Sequence, residues 1–144
     1  QGLVGDNVVL LACDATQALP DGLPLLFDAV LLDAPCSATG IIRRQPDIKW
    51  HRQVKDIDQL NTLQWRLLKN AWRYLKPGGR LMYSTCSVLK AENERLIDSF
   101  LKQNSDACAI DLGDRYGRVS GAGRQRFPGE DGGDGFYYAL LQKA

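Results

Sequence analysis

The stretch Phe27–Gly40, FDAVLLDAPCSATG, decides the fold. Its first six residues, Phe27–Leu32, are apolar and partly branched, and a short run of this kind reads as a buried strand. The run stops at Asp33-Ala34-Pro35-Cys36-Ser37, where Asp-x-Pro imposes an extended, rigid turn. Downstream, residues 40–55 are polar and irregular, and Pro46 forbids a regular helix through them. Asp56 then caps a helix whose apolar residues recur at Ile57, Leu60, Leu63, Leu67, Leu68, Ala71, Trp72 and Leu75. Pro77-Gly78-Gly79 is expected to end it.

Arg80–Ser84 reads as a further strand running into Thr85-Cys86-Ser87. A second amphipathic helix carries Leu96, Ile97, Phe100 and Leu101 on one face. Ala107–Leu112 is a weak strand, residues 113–135 a Gly- and Arg-rich loop, and Phe136–Leu141 a last strand. Upstream, Asn7–Ala12 reads as a buried strand ending at Asp14, and residues 17–24 as a turn. Strands alternating with helices predict an α/β fold, a largely parallel sheet with helices on both faces. Residues 1–144 fit one domain, without repeats or a low-complexity tract. Gln1 opens into loop-like sequence, so the chain is expected to be a piece of something longer.

Apolar content of 44% and charged content of 24% are those of an ordinary globular chain, and no apolar run is long enough for a membrane helix. The net charge of +1 is silent about nucleic acid. Two local clusters are not: Arg43, Arg44, Lys49, Arg52 and Lys55 around Trp50 and His51, and Arg115, Arg118, Arg124 and Arg126. Each suits phosphates, and each also suits a solvated loop. The cysteines, at 13, 36, 86 and 108, form no Cys-x-x-Cys pair and share the chain with one His, which argues against zinc. With no secretion signal, free thiols in the cytoplasm are expected.

In an open parallel sheet, ligands sit beyond the carboxyl ends of the strands. Three expected strands end at Asp14, at Asp33–Cys36 and at Cys86, which gathers two thiols and two carboxylates at one edge. A lone cysteine there is ordinary packing. Two, each followed by Ser, suggest chemistry. Asp14 and Asp33 also read as turn residues.

Asp33-Ala34-Pro35-Cys36-Ser37 and Thr85-Cys86-Ser87 resemble two signature motifs of the RNA cytosine-5 methyltransferases. Residues 37–50 (SATGIIRRQPDIKW), 75–79 (LKPGG) and 134–138 (DGFYY) are similar to the bacterial Sun/Fmu-type branch, which modifies small-subunit ribosomal RNA. The resemblance runs from Val8 onward. It implies a Rossmann-like methyltransferase sheet, S-adenosylmethionine as cofactor and RNA as partner, with neither membrane nor metal. It also implies roles. Cys86 adds to carbon 6 of cytosine and makes carbon 5 nucleophilic. Asp33 contacts the ring near N3. Cys36 helps to expel the product. Asp14, Asp33 and Pro35 face the cofactor. In DNA cytosine-5 methyltransferases the nucleophile follows Pro, as Cys36 does here; Thr85-Cys86-Ser87 favours the RNA family and Cys86. A non-catalytic RNA-binding module using residues 43–55 is the alternative. A cysteine hydrolase or redox protein would need a His or a resolving thiol nearby.

Nothing in the sequence matches the family's glycine-rich cofactor loop. The chain therefore reads as the C-terminal portion of the catalytic domain, with strands 1 and 2 of the family's 3-2-1-4-5-7-6 sheet missing. That leaves three expectations for the gap: the strands at Asn7 and Phe27 pair directly, or an apolar sheet edge is exposed, or a partner chain covers it. Weak cofactor binding and little turnover by this chain alone are also expected.

Overall fold

The structure is a computed structural model that describes residues 8–20, 26–51 and 53–144. Asn7, Arg52, the side chain of His51 and residues 21–25 of the expected turn lie outside the described residues. Six strands form one sheet: β1 (Phe27–Asp33), β2 (Leu75–Thr85), β3 (Ala107–Ile110), β4 (Arg118–Ser120), β5 (Gly123–Arg126) and β6 (Phe136–Lys143). The helices are a single turn, α1 (Ile48–His51), and two longer ones, α2 (Val54–Arg73) and α3 (Glu94–Gln103). The sheet runs β1-β2-β6-β5-β4, with β3 also on β6.

β1 and β2 are parallel, joined through α2, with Val30 opposite Leu81 and Leu32 opposite Tyr83. β6 returns antiparallel to β2, with Leu81 opposite Leu141, Tyr83 opposite Ala139 and Thr85 opposite Tyr137. Cross-strand partners share a face, so Leu81, Tyr83, Tyr137, Ala139 and Leu141 form one apolar surface, all fully buried. The helices cover it with Leu68 and Trp72 from α2 and Leu96, Ile97 and Phe100 from α3. Phe100 meets the ring of Trp72 edge-on at 5.3 Å and that of Trp65 at 6.0 Å. The expected α/β class is present, but the sheet is mixed rather than largely parallel. β1–β2 is its one parallel pair among the described residues, because β6 returns antiparallel between β2 and the β4–β5 hairpin. The expected helices on both faces are not found: among the described residues, both longer helices lie on this same face.

Four expectations change in detail. Residues 8–13 are extended but outside the sheet, with Val9 72% and Leu10 77% exposed. Apolar sequence becomes a strand only where a neighbour takes its N–H and C=O groups, and β1 offers this run no ladder here. Leu75 belongs to β2: α2 ends at Arg73, and Pro77-Gly78-Gly79 forms an irregularity inside the strand, with Gly78 at φ 76°. The α2 N-terminus is Gln53, whose N–H donates to Asp56 Oδ2 at 2.9 Å, so Asp56 reaches back from the first turn. The expected loop over 113–135 holds the β4–β5 hairpin, with Arg118 opposite Gln125.

Candidate active site

β1 and β2 run parallel, so their carboxyl ends open at the same edge. The ladder continues one step further, Ala34 N–H donating to Ser84 O at 2.9 Å. Beyond that point the chains turn away from each other and present Cys36 and Cys86, whose sulfurs are 3.4 Å apart. The expectation that one mouth of the sheet gathers both thiols holds.

The contact has an electrostatic consequence. Either sulfur can donate in this contact. With the proton on the more buried Cys36, its S–H lowers Cys86 from an ordinary 9.0 to about 7, against burial and the charges of Asp33 and Glu92. Cys36 moves the other way, because it keeps the proton for that bond and is buried. The pair thus holds one proton on Cys36 and an accessible thiolate on Cys86.

Beneath the sulfurs lies a fully buried carboxylate, Glu92. Its Oε1 accepts the Ser37 N–H at 2.8 Å and Gln64 Nε2 at 3.0 Å. Its Oε2 accepts the hydroxyls of Ser37 and Ser87, both at 2.5 Å. Gln64, on α2, also donates to Pro35 O at 2.8 Å. Tyr83 donates its hydroxyl to Glu92 O at 2.8 Å, and burial pushes that phenol up, keeping it a donor. Asn93 takes the Thr85 hydroxyl at 2.6 Å and donates to Ser87 O and Gln125 Oε1. Gly40 donates to Cys86 O and accepts from Gly135 N–H, each at 2.8 Å. A Cβ at Gly40 would run into both of those neighbours.

Asp33 is exposed, with Oδ1 accepting the Ser84 hydroxyl at 3.0 Å, and Pro35 is exposed beside it. Asp134 pairs with Arg44 at 3.0 Å and so ties the start of β6 to residues 38–50. Asp14 stands apart: its Oδ1 accepts both the N–H and the hydroxyl of Thr16, a self-contained turn that keeps its carboxyl below the usual range. Among the described residues, none of its hydrogen bonds reaches the cysteine mouth.

The two basic clusters differ. Arg118, Arg124 and Arg126 are ion-paired with Glu130, with Asp111 and Asp114, and with Asp131. Around Trp50, which is 77% exposed with Lys49 Nζ 5.0 Å from its ring, the aromatic and its cation face outward. Among the described residues no cluster of three His, Cys, Asp or Glu is suited to a metal ion, and no helix is long and apolar enough to cross a membrane. Sequence reading missed Glu92, Gln64, Asn93 and Gln125. The available signal was the Ser that follows each cysteine, since both hydroxyls end on one carboxylate.

Comparison with known proteins is consistent with this arrangement. The chain is 60% identical to ribosomal RNA small subunit methyltransferase B of Xanthomonas campestris pv. campestris, over 90% of this chain and 29% of that protein. It is 58% identical to the protein of the same name from Xylella fastidiosa, over 93% of this chain and 31% of that one. It thus spans about three tenths of the length of these relatives. The crystal structure of NSun6 from Pyrococcus horikoshii with SFG superposes with a TM-score of 0.81 at 30% identity, covering 96% of this chain and 35% of that one. A methyltransferase homolog protein from the same organism gives 0.70 at 34% identity, over 83% and 40%. The family described as 16S rRNA methyltransferase RsmB/F matches residues 1–142, and the chain belongs to that family.

Proposed function

We propose that this chain carries the catalytic thiols of an S-adenosylmethionine-dependent RNA cytosine-5 methyltransferase acting on small-subunit ribosomal RNA in the cytoplasm. The observation that carries the reading is the 3.4 Å contact between Cys36 and Cys86 at the shared mouth of β1 and β2. It supplies what the sequence left open, a reason for Cys86 to ionise near neutral pH.

Carbon 5 of cytosine is a poor nucleophile until the ring loses its aromaticity. The Cys86 thiolate adds to carbon 6, forming a C–S bond and pushing the electron pair toward N3 and carbon 5. Asp33 stands exposed beside the mouth with Oδ1 fixed by Ser84, which leaves Oδ2 to accept an N–H from the ring's amino group beside N3, while N3 takes a proton from water as the electron pair arrives. S-adenosylmethionine, when bound, supplies the electrophilic methyl group. The carbon-5 proton then passes to solvent water, its electron pair re-forms the carbon 5–carbon 6 double bond, and the C–S bond breaks with its pair returning to Cys86. The Cys36 S–H stabilises that departing thiolate as it stabilises the free one. The target base must leave its stack to reach two sulfurs at the sheet edge.

The cofactor fits this chain along one wall. Asp33 and Pro35 are exposed at the end of β1, where a ligand can lie against them. Asp14 is assigned to the cofactor by resemblance alone, and Thr16 takes its Oδ1 twice. One wall gives weak binding, so this chain by itself is expected to hold S-adenosylmethionine above the micromolar range and to turn over little. Calorimetric titration decides it; submicromolar affinity refutes this part of the reading.

The main test is trapping. RNA carrying 5-fluorocytosine, whose fluorine cannot leave as a proton does, should accumulate a covalent adduct on Cys86 of the full-length protein when S-adenosylmethionine is present. Cys86→Ala should abolish the adduct. Cys36→Ala should accumulate adduct on ordinary RNA. Absence of any adduct would favour a non-catalytic RNA-binding module using the exposed Trp50 and Lys49.

A further inference from the structure

Each cysteine is followed by a serine, and the two serines do the same thing. Ser37 Oγ and Ser87 Oγ lie 3.1 Å apart, and both donate to Glu92 Oε2. Ser37 belongs to the turn after β1 and Ser87 to the turn after β2, so one carboxylate oxygen joins the two loops directly behind the sulfurs. Thr39 adds a third hydroxyl, 3.2 Å from each serine oxygen.

We propose that Glu92 is a positioning residue for the thiol pair: its buried carboxylate clamps the two cysteine-bearing loops together through Ser37 and Ser87, and so fixes the Cys36–Cys86 sulfur contact. This rests on the reading of the two cysteines as the reacting pair, and goes beyond it by naming what holds them.

Two features separate this role from plain packing. The first is the donor set. The hydrogen bonds reach Glu92 from α2 (Gln64), from the Cys36 loop (Ser37) and from the Cys86 loop (Ser87). A residue that only filled space between helix and sheet would be apolar, since an unneeded buried charge is costly. The second is the direction of its charge. Glu92 raises both Cys36 and Cys86, and so opposes the thiolate. Yet Cys86 is lowered on balance, because the Cys36 hydrogen bond outweighs every opposing contribution. Glu92 therefore favours ionisation only through the distance it sets. Removing it has two opposite consequences, and the sign of the result tells them apart.

The experiment measures the rate of iodoacetamide alkylation of Cys86 against pH, read by peptide mass spectrometry on the full-length protein, with a melting curve for each variant. In the wild type the rate should rise with a midpoint near about 7. The Ser37→Ala/Ser87→Ala double variant keeps the Glu92 side chain but cuts the clamp. Its midpoint should move up toward the ordinary 9.0, with alkylation at pH 7 falling by up to about fiftyfold as the thiolate fraction drops. Glu92→Ala should move the midpoint the same way, whereas loss of charge with the geometry kept would move it down. A cooperatively folded double variant with an unshifted midpoint, or Glu92→Ala with a lowered one, overturns the proposal. If Glu92→Ala does not fold, the double variant still decides. A raised midpoint alongside no trapped RNA adduct in the wild type would leave the clamp standing and remove the methyltransferase reading instead.

Discussion

The two edges of β1 behave oppositely. Toward β2 every residue from Ala29 to Asp33 has a parallel partner, and the strand delivers Asp33 and Cys36 into a mouth held by buried hydrogen bonds. Away from β2 the strand has no partner among the described residues, and Leu31 is 72% exposed; the upstream apolar residues Val9 and Leu10 are exposed too, at 72% and 77%. The same short run of sequence thus meets a saturated environment on one side and an open one on the other. Chemistry sits where the polar groups are saturated, because reacting atoms must be held. The open side is a surface on which more structure can be laid. The difference can be measured, because substitutions on the two sides should differ severalfold in cost.

The largest effect is expected under the saturated side. Leu81 on β2 is fully buried between β1, β6 and the helices. Leu81→Ala should cost about 2–5 kcal/mol, from lost transfer energy plus the cavity left behind. A loss under 1 kcal/mol by denaturant melting would mean that the core is looser than the structure shows. Gln64→Ala comes next. It removes the donor to Pro35 O, in a part-buried bond, and one of the two donors to the buried Glu92 Oε1. About 1–3 kcal/mol is expected from unsatisfied polar groups. Cys86 reactivity should fall with it, because Pro35 is the residue before Cys36.

How much of this contrast the sequence carried differs from residue to residue. Phe27–Asp33, the Leu68–Trp72 stripe of α2 and the Leu96–Phe100 stripe of α3 were legible because burial on one face imposes a period. So was the convergence of Cys36 and Cys86, since parallel strands must open at one edge. Residues 8–12 misled, because apolarity says that a segment wants a partner but not that one is present. Gly123–Arg126 misled the other way: GRQR reads as loop, yet Arg124 is buried by pairing with Asp111 and Asp114, and Gln125 by Asn93 and Phe136 O. Buried polar residues give no hydrophobic period, so neither this strand nor Glu92 could be found by pattern. Asp14 shows the limit of placing residues by strand ends, since the strand it was to follow does not form.

A smaller effect sharpens the saturated side. Cys86 is held near about 7 by the Cys36 proton, so its reactive form is present above that pH and lost below it. Trapping of 5-fluorocytosine RNA should therefore rise about tenfold between pH 6 and pH 8 and flatten above, as a one-proton thiolate titration requires. A rate still climbing severalfold between pH 8 and pH 9 would mean that the thiol has its ordinary acidity and that the 3.4 Å contact does not persist in solution.

The smallest effect belongs to the open edge. Leu31→Ser replaces a side chain that is 72% exposed and points away from the helix-covered face, opposite Met82. In this chain the change should alter stability by less than about 0.5 kcal/mol, the range for surface positions. It should also make the chain less prone to self-association, because it breaks an exposed apolar edge. The same substitution in the full-length protein is the sharper half of the test. If the rest of that protein covers this face of β1, Leu31→Ser there should cost about 2 kcal/mol or more, as removal of a buried leucine does. Equal small costs in both settings would mean that this face of β1 stays open in the whole protein.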